Sequence, residues 1–271
     1  MWTEKIRSVF RWNKEEAGPG TRVDIACYTH TGKIRAHNED NISFDGIFLE
    51  EEHQSLDQVL RWSAQIHEHP AVALFDGMGG ERAGEKASYA AAKTFTQIRD
   101  QGAWDPEKLA VLMRQLNKAV CRIKEAGRYA TTGCTAAVIA FSGEQALCAN
   151  LGDSPIYLFR GGSLIQLSVQ HTNEALLKEQ GITGRKPGLT QFLGIEEEEY
   201  QIDPQISVTE TREGDLYLLC SDGLTDMCSE EEIVEILSRD EAVAACVEEL
   251  TDRALKHGGR DNITVILCRV E

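Results

Sequence analysis

The feature that most constrains the fold is a succession of apolar runs of strand length: VDIACYT, NISF, AVALF, CTAAVIAF, ALCANLG, PIYLFR, SLIQLS, DLYLLCS and NITVILCRV. Their alternating or continuous apolar character marks each as a strand. Ser142-Gly143 and Gly161-Gly162 read as turns between neighbouring runs, so the succession is hairpin-like. Helical periodicity is confined to residues of about 80–101, 106–126, 173–180, 229–237 and 240–256. The second of these opens with Asp105 as N-cap and Pro106 at the first helical position. Strands in hairpin order and helices in pairs predict an α+β fold of antiparallel sheets covered by helices, not a repeating βαβ unit.

Residues 1–20 read as a separate N-terminal extension. Trp2, Ile6, Val9 and Phe10 can share a helical face among basic residues before Gly18-Pro19-Gly20 breaks the pattern. A terminal helix, flexible or packed, is the expectation, because a membrane-surface anchor generally needs a second signal. Residues 21–271 form the main domain.

With 28 Lys and Arg against 44 Asp and Glu, the net charge is −16, which excludes nucleic acid as a partner, since phosphate contacts draw on basic side chains. No stretch approaches the roughly 20 apolar residues of a membrane span, so no membrane insertion and a cytoplasmic location are expected. The eight cysteines never form a CxxC pair and stand mostly among apolar neighbours. They read as small, reduced core residues, not as a zinc site or a disulfide frame.

The chemistry lies in the acids. Apolar runs meet an Asp beside Gly or Asn at Asp76 (ALFDGMGG), Asp153 (ANLGDS), Asp222 (YLLCSDGL) and Asp261 (GGRDNITVIL), and Glu39-Asp40 precede NISF. Carboxylates at the mouths of buried strands cost several kcal/mol in desolvation unless a positive group compensates them, and within these motifs only Arg35 is near. Any one Asp-Gly is ordinarily a turn, but this many acids in the same setting point to a metal. Asp without a Cys or His cluster selects hard cations, Mg²⁺ or Mn²⁺ over Zn²⁺.

The ordered set RAHNED (residues 35–40), DGMGG (76–80), TTGCTAA (131–137), GDS, QHT, LTQFLG (189–194), CSDGLTD and GRDNIT resembles the metal-dependent serine/threonine protein phosphatases of type 2C, in their compact bacterial form. The resemblance spans residues 21–271. It implies a four-layer α/β/β/α architecture, a central β-sandwich of two antiparallel sheets flanked by pairs of helices, with the metal centre at one end. It also implies that Asp76 bridges two Mn²⁺ or Mg²⁺ ions, with the Gly77 carbonyl on one and Asp222 and Asp261 on the other. Glu39 and Asp40 would act mostly through metal-bound waters, Asp153 would join Asp222 in holding a third, weaker ion, and Arg35 would clamp the phosphate. The implied activity is hydrolysis of phosphoserine and phosphothreonine by direct attack of a metal-bridging hydroxide, with no covalent intermediate. The implied partners are phosphorylated substrates of a serine/threonine kinase, met by a monomer in a bacterial signalling setting.

Three departures from the family pattern stand out. Met78 occupies a position where many members have His, suggested as a general acid. Gln170 precedes His171 where Asp is usual, and Pro155 follows GDS where Arg is usual. The segment between His171 and Leu189, a substrate-facing flap in bacterial relatives, is short and carries Arg185-Lys186, with consequences for substrate choice. His37 and His171 are read as structural hydrogen-bonding residues. Two other readings stay open: a two-metal hydrolase of a small phosphate ester, which needs a closed pocket, and a catalytically weak sensing or binding module. The second is disfavoured by the presence of Asp76, Asp222 and Asp261.

Overall fold

The computed structural model describes residues 21–79, 83–98, 102–127, 132–196 and 201–271. The expectation for residues 1–20 lies outside them. The first sheet has the order β3 (Leu60–Gln65), β1 (Arg22–His30), β12 (Ile263–Val270), β11 (Leu216–Cys220), β8 (Ile156–Arg160), β9 (Ser163–Gln166). The second runs β10 (Gln205–Glu210), β7 (Gln145–Leu151), β6 (Ala136–Ser142), β4 (Ala71–Gly79), β2 (Asp40–Ser43), with β5 (Thr132–Cys134) on the far part of β4. Every pairing between them is antiparallel.

The continuous apolar runs are explained by burial on both faces. Along β12, Ile266, Cys268 and Val270 enter the core between the sheets, while Val265 and Leu267 face α4 (Asp222–Thr225), α5 (Glu230–Leu237) and α6 (Val243–Lys256). Along β4, Val72 and Leu74 point inward, while Ala73 and Phe75 pack on α1 (Gly84–Ile98) and α2 (Pro106–Gly127). Side chains alternate across a strand, so each strand serves two apolar layers, and the result is the expected α/β/β/α stack.

The helices fall where the periodicity placed them, with α3 (Glu174–Glu179) inside the flap segment. Asp105 caps α2, accepting at Oδ1 from Lys108 N at 2.8 Å. Three strands and one α-helix were not expected: β5 is a three-residue strand ahead of the apolar run that forms β6. β3 and β10 are edge strands whose residues are largely half-exposed, which dilutes the apolar signal, and α4 is only four residues long. All eight cysteines are free thiols, and all but Cys121 are buried.

The topology gathers the acids. β4 runs antiparallel to β2, and β11 to β12, so the end of one lies beside the start of the other. Asp40, Asp76, Asp222 and Asp261 therefore reach one end of the sandwich, where β7 also delivers the Gly152-Asp153 turn.

Candidate metal centre

Asp76 is not at the end of its strand, as its sequence setting suggested, but inside it. β4 leaves β2 and β6 near this residue and continues through Gly77 and Met78 against β5. Thr135, between β5 and β6, holds the crossing point: its Oγ1 accepts from Asp76 N at 3.1 Å, its N donates to Asp76 O at 2.8 Å, and its hydroxyl lies 2.6 Å from Ser154 Oγ. One threonine thus couples Asp76 to the loop that carries Asp153.

Three backbones converge at Gly77. A Cβ there would meet Gly84 O at 2.4 Å and Glu39 O at 2.5 Å, so only glycine permits the approach. Gly223 is equally constrained, with Asn262 O at 1.9 Å from a Cβ position. Asn262 then fixes the loop bearing Glu39: its Nδ2 donates to Thr31 O at 2.8 Å and His37 O at 2.9 Å, and its Oδ1 accepts from Glu39 N at 2.8 Å.

The electrostatics are those of crowded acids. Asp40 is buried, and desolvation pushes its carboxyl up to about 7, against a hydrogen bond donated by Thr264 Oγ1 at 2.6 Å. Burial and then the charges of Asp40 and Asp222 raise Asp76 well above the usual carboxylate range. Asp153 is pushed to about 6 by burial and by Asp222, with Lys186 opposing. Glu39 reaches about 7 through burial and the neighbouring Glu85. Burial also raises Asp222, again opposed by Lys186.

Among the described residues, two cations answer this charge. Arg35 Nη2 donates to Asp261 Oδ2 at 2.7 Å, and Lys186 Nζ donates to Asp222 Oδ2 at 2.6 Å and Asp226 Oδ2 at 3.3 Å. The acids are not drawn into a tight cage. The one set of three His, Cys or acid side chains among the described residues with ligand atoms within 4.8 Å of one another is Cys228, Glu232 and His257. Glu232 there is already engaged by the Ser229 capping box and by Arg253.

A sequence profile of the family described as protein phosphatase 2C matches residues 52–267. The chain belongs to the protein phosphatase 2C family. Among its relatives, the protein phosphatase PhpP of Streptococcus pneumoniae is 36% identical over 90% of this chain and 96% of its own. The serine/threonine protein phosphatase PstP of Mycobacterium tuberculosis is 31% identical over 90% of this chain, which spans 44% of that relative's length. A solved structure of the catalytic domain of a PstP, in complex with two manganese ions, superposes with a TM-score of 0.73 at 29% identity, covering 92% of this chain and 99% of that one.

The donor set fits the group that a family member would hold. The oxygens are hard, and Asp40 is buried while Asp76, Asp153, Asp222 and Asp261 are half-buried and crowded together; among the described residues no hydrogen bond or ion pair reaches the Asp76 carboxylate. His171, read as structural, makes a hydrogen bond of that kind: its Nδ1 accepts from Gly152 N at 3.2 Å. Sequence reasoning missed Asn262, Thr135 and Lys186 as site-shaping residues. Asn262 and Thr135 stand inside quoted motifs and Lys186 in the flap segment, but their partners are distant in the chain.

Proposed function

We propose that this chain is a metal-dependent phosphoprotein phosphatase acting on phosphoserine and phosphothreonine. The observation that carries the reading is the convergence of Asp40, Asp76, Asp153, Asp222 and Asp261 at one end of the sandwich beside the half-exposed Arg35. Asp76, the Gly77 carbonyl, Asp222 and Asp261 would hold two divalent cations, Mn²⁺ or Mg²⁺, with Glu39 and Asp40 behind them. Such a pair, when bound, activates water at neutral pH and takes up charge on the phosphoryl oxygens.

The protein's own groups supply position. Arg35 presents a planar fork of donors, of which one nitrogen is given to Asp261, so the remainder can grip a phosphate. Thr264 and Ser221 hydrogen-bond the Asp40 carboxylate, Ser221 Oγ in turn accepts from Thr264 N, and Asn262 holds the Glu39 loop, so the acids keep their places as charge changes around them. Arg35 is 48% exposed, which suits a phosphorylated side chain on a protein surface better than an enclosed small ester.

A monomeric role in signalling, opposite a serine/threonine kinase in the cytoplasm, is part of the same proposal. No helix of the described residues is long and apolar enough to cross a membrane. The test is a panel of phosphoserine and phosphothreonine peptides with Mn²⁺ or Mg²⁺ and then EDTA. Phosphate release that EDTA abolishes supports the proposal, and release insensitive to EDTA overturns it.

A further inference from the structure

Segment 172–189 is tied down at both ends. At its neck, Thr172 and Leu189 form a β-bridge, Asn173 and Gly188 exchange hydrogen bonds, and His171 N donates to Gly152 O at 3.0 Å, one residue from Asp153. Two residues before Gly188, beside this neck, Lys186 reaches Asp222 and Asp226. The segment therefore spans the mouth of the metal centre from β7 to α4.

Asp153, Asp222 and Asp226 form an acidic edge, and the resemblance led us to expect a third, weaker ion on Asp153 and Asp222. In this chain a side chain already brings a positive charge there. A lysine ammonium is a compact point charge with three donors, two of them given to Asp222 and Asp226. It binds Asp222 through Oδ2, leaving the other carboxylate oxygen for the central pair.

Resting on the metal-dependent reading above, we infer that Lys186 is a built-in cation that takes the place of a third divalent ion on the Asp153–Asp222 edge and straps segment 172–189 across the site. The chain then needs only two ions, and a third must displace its own ammonium to enter. Flap position and occupancy of the third site become one event.

Lys186→Met tests this by keeping the aliphatic stem and removing the charge, at a side chain that is 57% exposed and so of little consequence for folding. Calorimetric titration with Mn²⁺ should give two equivalents in the wild type. In the variant a third, weak equivalent should appear, about 10-fold or more tighter than any in the wild type, and it should vanish in Lys186→Met/Asp153→Ala. Amide exchange over residues 181–188 should be faster in the metal-free variant than in the wild type, and slow again as the third ion binds. An equal third-ion affinity in both proteins, or flap exchange unaffected by the substitution, would overturn the inference. A wild type that binds no Mn²⁺ at all would instead remove the metal-dependent reading, and the strap with it.

Discussion

Asp40 on β2 lies directly across from Asp76 on β4, so two carboxylates share one face of the sheet at the same height. Like charges in that relation are destabilising, and burial adds to the cost. The folded carboxyls of Asp40 (about 7), Glu39 (about 7) and Asp153 (about 6) are raised, as is that of Asp76. Between about pH 4 and 7 the folded state therefore holds more protons than the unfolded chain, and this contribution to stability falls as pH rises. In EDTA, the melting temperature should be lower at about pH 7.5 than at about pH 5.5, and Asp40→Asn should narrow the gap. Mn²⁺ should stabilise most at the higher pH. Thermal melts of both proteins with and without metal check this, and a wider gap in the variant would contradict it.

Arg35 gives one nitrogen to Asp261 and keeps the rest of its fork exposed. Arg35→Ala should raise KM for a phosphopeptide and also lower kcat, since the transferring group still needs its charge met. Loss of a charge-assisted hydrogen bond predicts a fall in kcat/KM of about 10–100-fold. Unchanged steady-state kinetics would place the clamp elsewhere.

Asn262 joins three backbone sites, Thr31 O, His37 O and Glu39 N. Asn262→Ala strands those groups at a buried position and should lower stability by about 2–3 kcal/mol. Activity should fall further than that stability loss explains, because the loop carrying Arg35 and Glu39 is no longer held. Denaturant unfolding together with kinetics well below the melting temperature separates the two effects.

Met78 lies on β4 opposite Gly133, beside the site, where it offers no proton. General-acid help is typically worth about 10²–10⁴-fold and matters most for a poor leaving group such as a serine alkoxide. Wild type should favour activated aryl phosphates over phosphoserine peptides more strongly than Met78→His does. Comparing kcat on both substrates across pH tests this. An unaltered ratio would mean that another group already supplies the proton.

Much of this was legible locally. A carboxylate next to a buried apolar run is a conflict visible in the sequence, so Asp76, Asp153, Asp222 and Asp261 could be chosen before any fold was known. Asp105 and Pro106 announced α2 just as locally, through N-cap and first-position chemistry. The edge strands β3 and β10 were not legible, because with one side open their residues are largely half-exposed and lose the strand pattern. Lys186 was noticed as a flap residue, but its pairing with Asp222, 36 positions away, has no local signature. Asn262 likewise stood inside a recognised motif, and only the approach of β12 to the Glu39 loop reveals what its amide does.

Asp76 is proposed to contribute to both divalent ions, and Asp76→Asn tests this most directly when Mn²⁺ binding and phosphothreonine-peptide turnover are measured on the same preparation. The variant should fold, since Val72, Leu74 and Phe75 keep β4 packed on both faces, and it should melt no lower than wild type in EDTA at neutral pH. Mn²⁺ binding should weaken for both equivalents, and turnover should drop on the order of 10³-fold or more. Two Mn²⁺ bound as tightly as in wild type, with near-normal turnover at saturating metal, would contradict the account.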